Sequence, residues 1–242
     1  RLIAGVLLDY ISWQTATSII GALNLLIAIT FYMALPASKH FKAYPINLNR
    51  FIESFKKNLA DVRLRLLFAE GFILMGCFVT VFNYMSYHLL EKPFELSQMW
   101  IGLISIAYLS GIYSSPRAAS WSHKFGRDNV LIAMLSMMIF GLWIMLIPTL
   151  WAILAGLLIF TFSFFAAHST SSSWVSVQSL QYRAVGSSLY LFCYYLGSSF
   201  LGSSGGLVWE HGGWFGLTIA ITLVLIIGVF IAFKLKQIQI QE

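Results

Sequence analysis

Apolar and polar positions fall into long blocks along the chain. Uncharged or nearly uncharged runs of about 20 residues occur at Trp13–Leu35, Leu66–Leu90, Met99–Pro116, Val130–Pro148, Trp151–Trp174, Ala184–Trp209 and Trp214–Phe233. The second is interrupted only by Glu70 and His88. Runs of this length predict helices that cross a bilayer. They are continuous rather than alternating with period two, which excludes a β-barrel. Residues 1–11 open on an apolar stretch already under way, with no initiator Met and no signal-peptide pattern. They read as the end of a helix whose start is missing, and the chain as a fragment.

Composition sharpens this picture. Of 242 residues, 59% are hydrophobic, 16% aromatic and only 10% charged. Soluble domains carry about 25% charged residues, so a soluble globule is excluded. Disorder is excluded by the abundance of apolar and aromatic residues. The fold class is therefore an all-α polytopic membrane protein.

Charge sets the topology. Lys39, Lys42, Arg50, Lys56, Lys57, Arg63 and Arg65 lie in the connection after the first span, and Arg117, Lys124 and Arg127 in a later one. Arg183, Lys234 and Lys236 share that side, while Lys92 alone lies on the other. The positive-inside rule predicts that the thirteen face the cytoplasm, together with the C-terminus. The net charge of +6 follows from these loops and does not indicate a nucleic-acid partner. Trp13, Trp100, Trp151, Trp174, Trp209 and Trp214 end spans and are expected at the membrane interface. Cys77 and Cys193 lie inside spans as small hydrophobes, and no residue cluster suggests a metal or a cofactor.

The connection 36–65 is much longer than the others. Leu48, Phe51, Ile52, Phe55, Leu59 and Val62 have near-helical spacing, which predicts an amphipathic surface helix over Leu48–Leu64. The expected divisions are 1–35, the end of a first bundle; 36–65, a basic cytoplasmic linker; and 66–242, a six-helix bundle with a short tail.

Several stretches carry a resemblance: Arg1–Asp9 with Ser12-Trp13, Leu35–Phe41, Phe78–Tyr84, Leu109–Pro116, Phe164–Ser169, Ser187–Ser199 and Glu210–Trp214. Together they resemble the major facilitator superfamily, in particular its bacterial drug/proton antiporter-like group. The resemblance covers essentially the whole chain. It implies a major facilitator fold, with residues 1–11 ending helix 5, Trp13–Leu35 as helix 6, and the six-helix C-terminal bundle following. The missing N-terminal bundle of the same protein would be a partner, with the lipid bilayer, protons and a small-molecule substrate. The family's gating motif, Gly-x-x-x-Asp-Arg-x-Gly-Arg, is matched by Ala119, His123, Lys124, Gly126 and Arg127. Gly126 and Arg127 agree and Lys124 keeps the positive charge, but His123 replaces the acid and Ala119 the glycine.

Ionisable residues inside spans are candidate functional groups. Glu70 is the one acid within a complete span, roughly 12 Å from the midplane. His168 lies roughly 9 Å from it on the same side, so the pair can relay a proton. Alternatively, Glu70 snorkels or pairs with Arg63 or Arg65, and His168 makes only an interhelical bond. Arg1 resembles an arginine that the family keeps in helix 5. Asn83 and Tyr84, with Tyr190 and Tyr194 at i, i+4, can line a pocket for planar or cationic compounds; each tyrosine can equally be packing. Gly197, Gly202 and Gly206 form a small-residue strip for close helix packing.

The expected function is secondary active transport by alternating access. The resemblance implies proton-coupled efflux of amphipathic or cationic compounds from an inner (plasma) membrane. Export of sugars or other metabolites is the alternative. A seven-helix receptor is disfavoured by the one-plus-six division, and a membrane enzyme by the absence of a nucleophile–base constellation.

Overall fold

The computed structural model describes residues 2–36 and 48–240. Among these the regular elements are helical, in the order α1 (Leu2–Leu8), α2 (Trp13–Ala34), α3 (Leu48–Ala60), α4 (Val62–Leu90), α5 (Gln98–Leu103), α6 (Ser110–Phe125), α7 (Arg127–Ile144), α8 (Leu150–Gln178) and α9 (Arg183–Ile240). Short 3₁₀ turns at Ile104–Leu109 and Leu180–Tyr182 lead into α6 and α9. Arg1, Lys39 and Lys42 lie outside the described residues.

The helix ends follow from local chemistry. Ser12 caps α2 by accepting from the Thr15 amide at 3.4 Å, and Thr149 caps α8 by accepting from the Ala152 amide at 3.3 Å. Asp61 ends the amphipathic helix at Ala60, four residues short of the predicted Leu64. Its Oδ1 accepts from the Arg63 and Leu64 amides at 2.8 and 3.2 Å and so starts α4. Gly213, at φ 56° and ψ −152°, breaks α9 into arms 183–212 and 214–240. That conformation suits only glycine. Each arm is long enough to cross a bilayer of about 30 Å.

One predicted span is corrected. Met99–Pro116 is not a single helix: α5, the 3₁₀ turn and α6 divide it. Pro116 sits inside α6, which continues to Phe125. Ending the span at this proline ignored that helices embedded among neighbours tolerate it. Five described helices meet the length and apolarity of a membrane span: α2, α4, α7, α8 and α9, the last being two spans joined at Gly213.

The chain divides into two compact units. The first contains α1, α2 and α5. There α1 packs on α2 and α5, and Asp9 Oδ2 accepts from the Met99 amide at 3.1 Å. In this unit α2 buries only Ala16 and exposes its large apolar side chains. The second unit contains α3, nearly all of α4, and α6 to α9.

In the second unit α8 is central, packing on α6, α7 and α9. At the α7–α8 crossing Gly141 and Gly156 meet backbone to backbone: a Cβ on Gly141 would lie 2.7 Å from the Gly156 carbonyl. Small residues allow this approach, which is how helices gain contact when lipid supplies no hydrophobic drive between them. The first arm of α9 meets α4 the same way, with Gly197 against the Phe72 carbonyl. Trp13, Trp100 and Trp151 are exposed, whereas Trp174 and Trp214 are buried in the bundle. Trp214 directly follows the Gly213 break, stacks on His88 at 5.2 Å and donates to the Met145 carbonyl at 3.2 Å.

Candidate functional site

Glu70 is fully buried in α4, and neither carboxyl oxygen has a hydrogen-bond partner among the described residues. The helix turns it toward the second arm of α9. A Cβ placed on Gly228 would be 3.3 Å from Glu70 Oε2 and 3.4 Å from both Ile73 and Leu135. The glycine makes room for the carboxyl, and Ile73 and Leu135 approach the same point. Glu70 does not snorkel and forms no ion pair with Arg63 or Arg65. An ionised carboxylate without a partner in such surroundings costs far more than the neutral acid.

His168 has different company. Its Nδ1 and the Tyr190 hydroxyl share a hydrogen bond of 3.0 Å, and its ring lies 4.7 Å from that of Tyr194. Tyr190 is fully buried. The i, i+4 spacing does place both tyrosines on one face, with their ring centres 6.3 Å apart. The direct Glu70–His168 pair expected from similar depth does not form. Depth fixes position along a helix axis, whereas helix rotation decides which neighbour a side chain meets. The two regions still adjoin: a Cβ on Gly71 would touch the Tyr190 ring at 2.8 Å.

From His168 a ladder of rings runs through the bundle. Phe164 stacks on His168 at 6.0 Å and on Phe78 at 3.9 Å. Phe78 continues to Phe82 at 4.7 Å and to Tyr108 at 5.5 Å. The rings pack on one another, with Tyr190 and Tyr194 beside His168 at one end and Tyr108 beside Phe78 toward the other. The sequence missed Phe78, Phe164 and Tyr108 because single aromatic residues in apolar helices look like ordinary packing.

Tyr84 belongs to a separate cluster. Its hydroxyl donates to the Gly202 carbonyl at 3.1 Å, and its ring lies 5.7 Å from Trp209 and 6.0 Å from Tyr87. A Cβ on Gly206 would be 3.1 Å from the Tyr84 hydroxyl, and one on Gly202 would be 4.0 Å from Asn83 Nδ2. Asn83 and Tyr84 thus accompany Gly202 and Gly206, and the single pocket expected with Tyr190 and Tyr194 is two clusters. Gly197 makes the tight backbone contact of the strip, whereas Gly202 makes an ordinary one.

The gating residues do not form a loop. Ala119, His123 and Lys124 are exposed on α6, and α7 starts at Arg127. Only Gly126 stands between, at φ 87°. Where the family motif has its acid this chain has His123, but Asp128 packs beside the turn: a Cβ on Gly126 would meet its Oδ1 at 2.7 Å. Asn129 Nδ2 donates to the Phe125 carbonyl at 2.8 Å, and Lys236 donates to Asn129 Oδ1 at 2.7 Å. The tail and this turn therefore lie at one end of the unit.

A second set of contacts was not legible in the sequence. Gln178 Nε2 donates to Asp61 Oδ2 at 2.9 Å, and Lys57 donates to the Tyr182 hydroxyl at 3.2 Å. Lys57 also pairs with Glu53 at 2.8 Å. The bond to Lys57 holds the Glu53 carboxyl below its ordinary range, and the same bond raises the Lys57 ammonium above its own. These contacts fix α3 on the α8–α9 turn through residues 117 to 125 positions apart, beyond any local pattern.

Known proteins share this architecture's sequence. The chain is 43% identical over 98% of its length to the inner membrane transport protein YnfM of Escherichia coli, covering 57% of that protein. It is 40% identical, over 98% of the chain and 57% of the relative, to an uncharacterized transporter of Buchnera aphidicola from Schizaphis graminum. It is 35% identical, over 96% of the chain and 57% of the relative, to the uncharacterized transporter YybF of Bacillus subtilis. The chain thus spans less than three fifths of each of these relatives' length. The family model of the Major Facilitator Superfamily matches residues 1–203. With helices long enough to span a bilayer and this match over most of its length, the chain belongs to the major facilitator superfamily, a family of membrane transporters and not of enzymes.

Proposed function

We propose that the chain forms part of a proton-coupled exporter of small amphipathic or cationic compounds, working by alternating access in an inner (plasma) membrane. In this reading residues 1–35 complete an N-terminal bundle, 36–65 link the halves, and 66–242 rock against that bundle about a central site. The cytoplasmic side is the one holding most of the Lys and Arg, the C-terminus included.

The observation that carries the proposal is Glu70: a fully buried carboxyl without a hydrogen-bond partner among the described residues, one residue from the glycine that abuts Tyr190. A rigid site of this kind accommodates the acid with its proton on. Ionisation requires water or a cation to reach it, which a change of access supplies. The aromatic ladder ending at His168, Tyr190 and Tyr194 supports recognition of planar or cationic substrates.

The test uses the complete transporter that contains this chain, in inside-out vesicles with an imposed proton gradient. Cationic dyes should collapse the gradient in the parent and fail to do so in Glu70→Gln. Collapse that survives the substitution removes Glu70 from the proton path. Collapse by neutral sugars but not by dyes replaces drug export with sugar export.

A further inference from the structure

Beside the helices that carry Glu70 and Gly197, the second unit has a groove of about 590 Å³. Arg65, Phe68 and Phe72 of α4, Cys193 of the first arm of α9, and Val224 and Ile227 of the second arm line it. The lining is almost wholly apolar, and Arg65 is its one charged residue. Arg65 lies at the end of the groove nearest the start of α4 and is exposed. Its guanidinium has no acceptor among the described residues, although an arginine at this position can hold one bidentately.

The groove continues onto the surface. Leu59 of α3 also lines it, and Leu59 belongs to the apolar stripe of Phe51, Ile52 and Phe55, all exposed. The opposite face of α3 is polar and is seated on the bundle: Ser54 and Asn58 are buried, and Lys57 holds Tyr182. The helix therefore turns its apolar side outward, with Arg50 and Lys56 exposed along the same element. An apolar trough beneath a cation, continued by an apolar stripe with basic residues beside it, complements an anionic amphiphile. Basic sites between membrane helices attract acidic headgroups in this way, each Lys or Arg near the surface strengthening binding about fivefold.

We propose that the groove binds an anionic phospholipid, one acyl chain lying along Phe68, Phe72 and Ile227 and the phosphate against Arg65. From Arg65 to Ile73 the α4 wall runs about 12 Å, enough for a stretch of chain below a headgroup at the membrane surface. The bound lipid also ties α3 to α4 and α9, so it braces the linker helix on the bundle.

The test measures lipid retained by the complete transporter after detergent purification, by native mass spectrometry with phosphatidylglycerol or phosphatidylcholine added back. The parent should retain phosphatidylglycerol in preference. Arg65→Gln should weaken that retention about fivefold, Arg65→Lys should restore most of it, and Lys92→Gln should leave it unchanged. Ile227→Trp, which fills the trough, should lower retention of both lipids, while gel filtration confirms that the variant is folded. Equal retention of the two lipids with no response to Arg65→Gln overturns the proposal. So does Ile227→Trp loosening the assembly without changing lipid retention, because the groove would then be covered by protein. The readout is binding, so it stands or falls independently of proton coupling.

Discussion

Glu70 and His168 are both ionisable side chains set in apolar helices, and the fold treats them in opposite ways. His168 is satisfied: it shares a hydrogen bond with Tyr190 and lies among the rings of Tyr194 and Phe164. Glu70 has no hydrogen-bond partner among the described residues, and its carboxyl abuts Gly228. The similar depth expected from the sequence does not give similar surroundings. A polar group held in a network stabilises one arrangement, whereas an unpaired acid favours a change of arrangement. In the proposed function the histidine therefore has a structural duty and the glutamate carries the moving proton.

The largest effect expected is on Glu70. Glu70→Gln should abolish dye-driven collapse of the proton gradient while the thermal midpoint of the purified transporter holds or rises, since removing an unpaired buried acid relieves a desolvation penalty. A lower midpoint would show that Glu70 has a partner outside the described residues and would break the contrast.

Next is the contact from which both regions hang, the close approach of α4 and the first arm of α9. A side chain on Gly197 would run into the Phe72 carbonyl, so Gly197→Val should destabilise by about 1–3 kcal/mol in thermal unfolding. Gly202→Ala is the control. Its Cβ would meet Val79 at 3.5 Å, an ordinary contact, so the midpoint should change little or rise. Equal sensitivity at both positions would mean that helix separation is not set at Gly197.

Tyr190→Phe comes third. It removes the partner of His168 Nδ1 and should cost about 1–3 kcal/mol. Tyr194→Phe keeps the ring contacts, so its cost should be smaller. If Tyr190→Phe left stability unchanged but abolished coupling, the histidine would join the proton path and the contrast with Glu70 would fail.

The smallest effect belongs to the exposed Glu53–Lys57 pair on α3. The folded carboxyl titrates below its ordinary value, so the pair's contribution is complete above that value and is lost as pH falls through the lowered one. The ammonium titrates above its ordinary value, so its share persists below that value and is lost as pH rises through the raised one. A pH series on parent and Glu53→Gln should differ only slightly across the neutral range, and salt should erase the difference.

Much of the fold was legible in the chain. Trp13–Leu35 predicts α2 to within a residue of its end, and the runs flanking Glu210–Gly213 predict the two arms that Gly213 separates. The Met99–Pro116 run was read as one helix because hydropathy is blind to a change of winding inside an apolar run. Tyr190 and Tyr194 share a face, as i, i+4 requires, but Tyr84 lies in another cluster because nothing local records which helices meet. Asp61 and Gln178 are far apart in sequence and carry no shared pattern.

The sequence by itself determined where most of the apolar segments lie and which connections carry the positive charge. These are properties of composition and of local caps, and a bilayer reads composition directly. The tertiary structure alone decided which face of each helix is covered. Lipid is as apolar as a leucine side chain, so a span needs no polar face toward its surroundings and leaves little periodic signal of its buried side. That is why α2 and α4 look alike as apolar runs, yet α2 buries only Ala16 while α4 carries Glu70, Gly71 and Phe78 into the core.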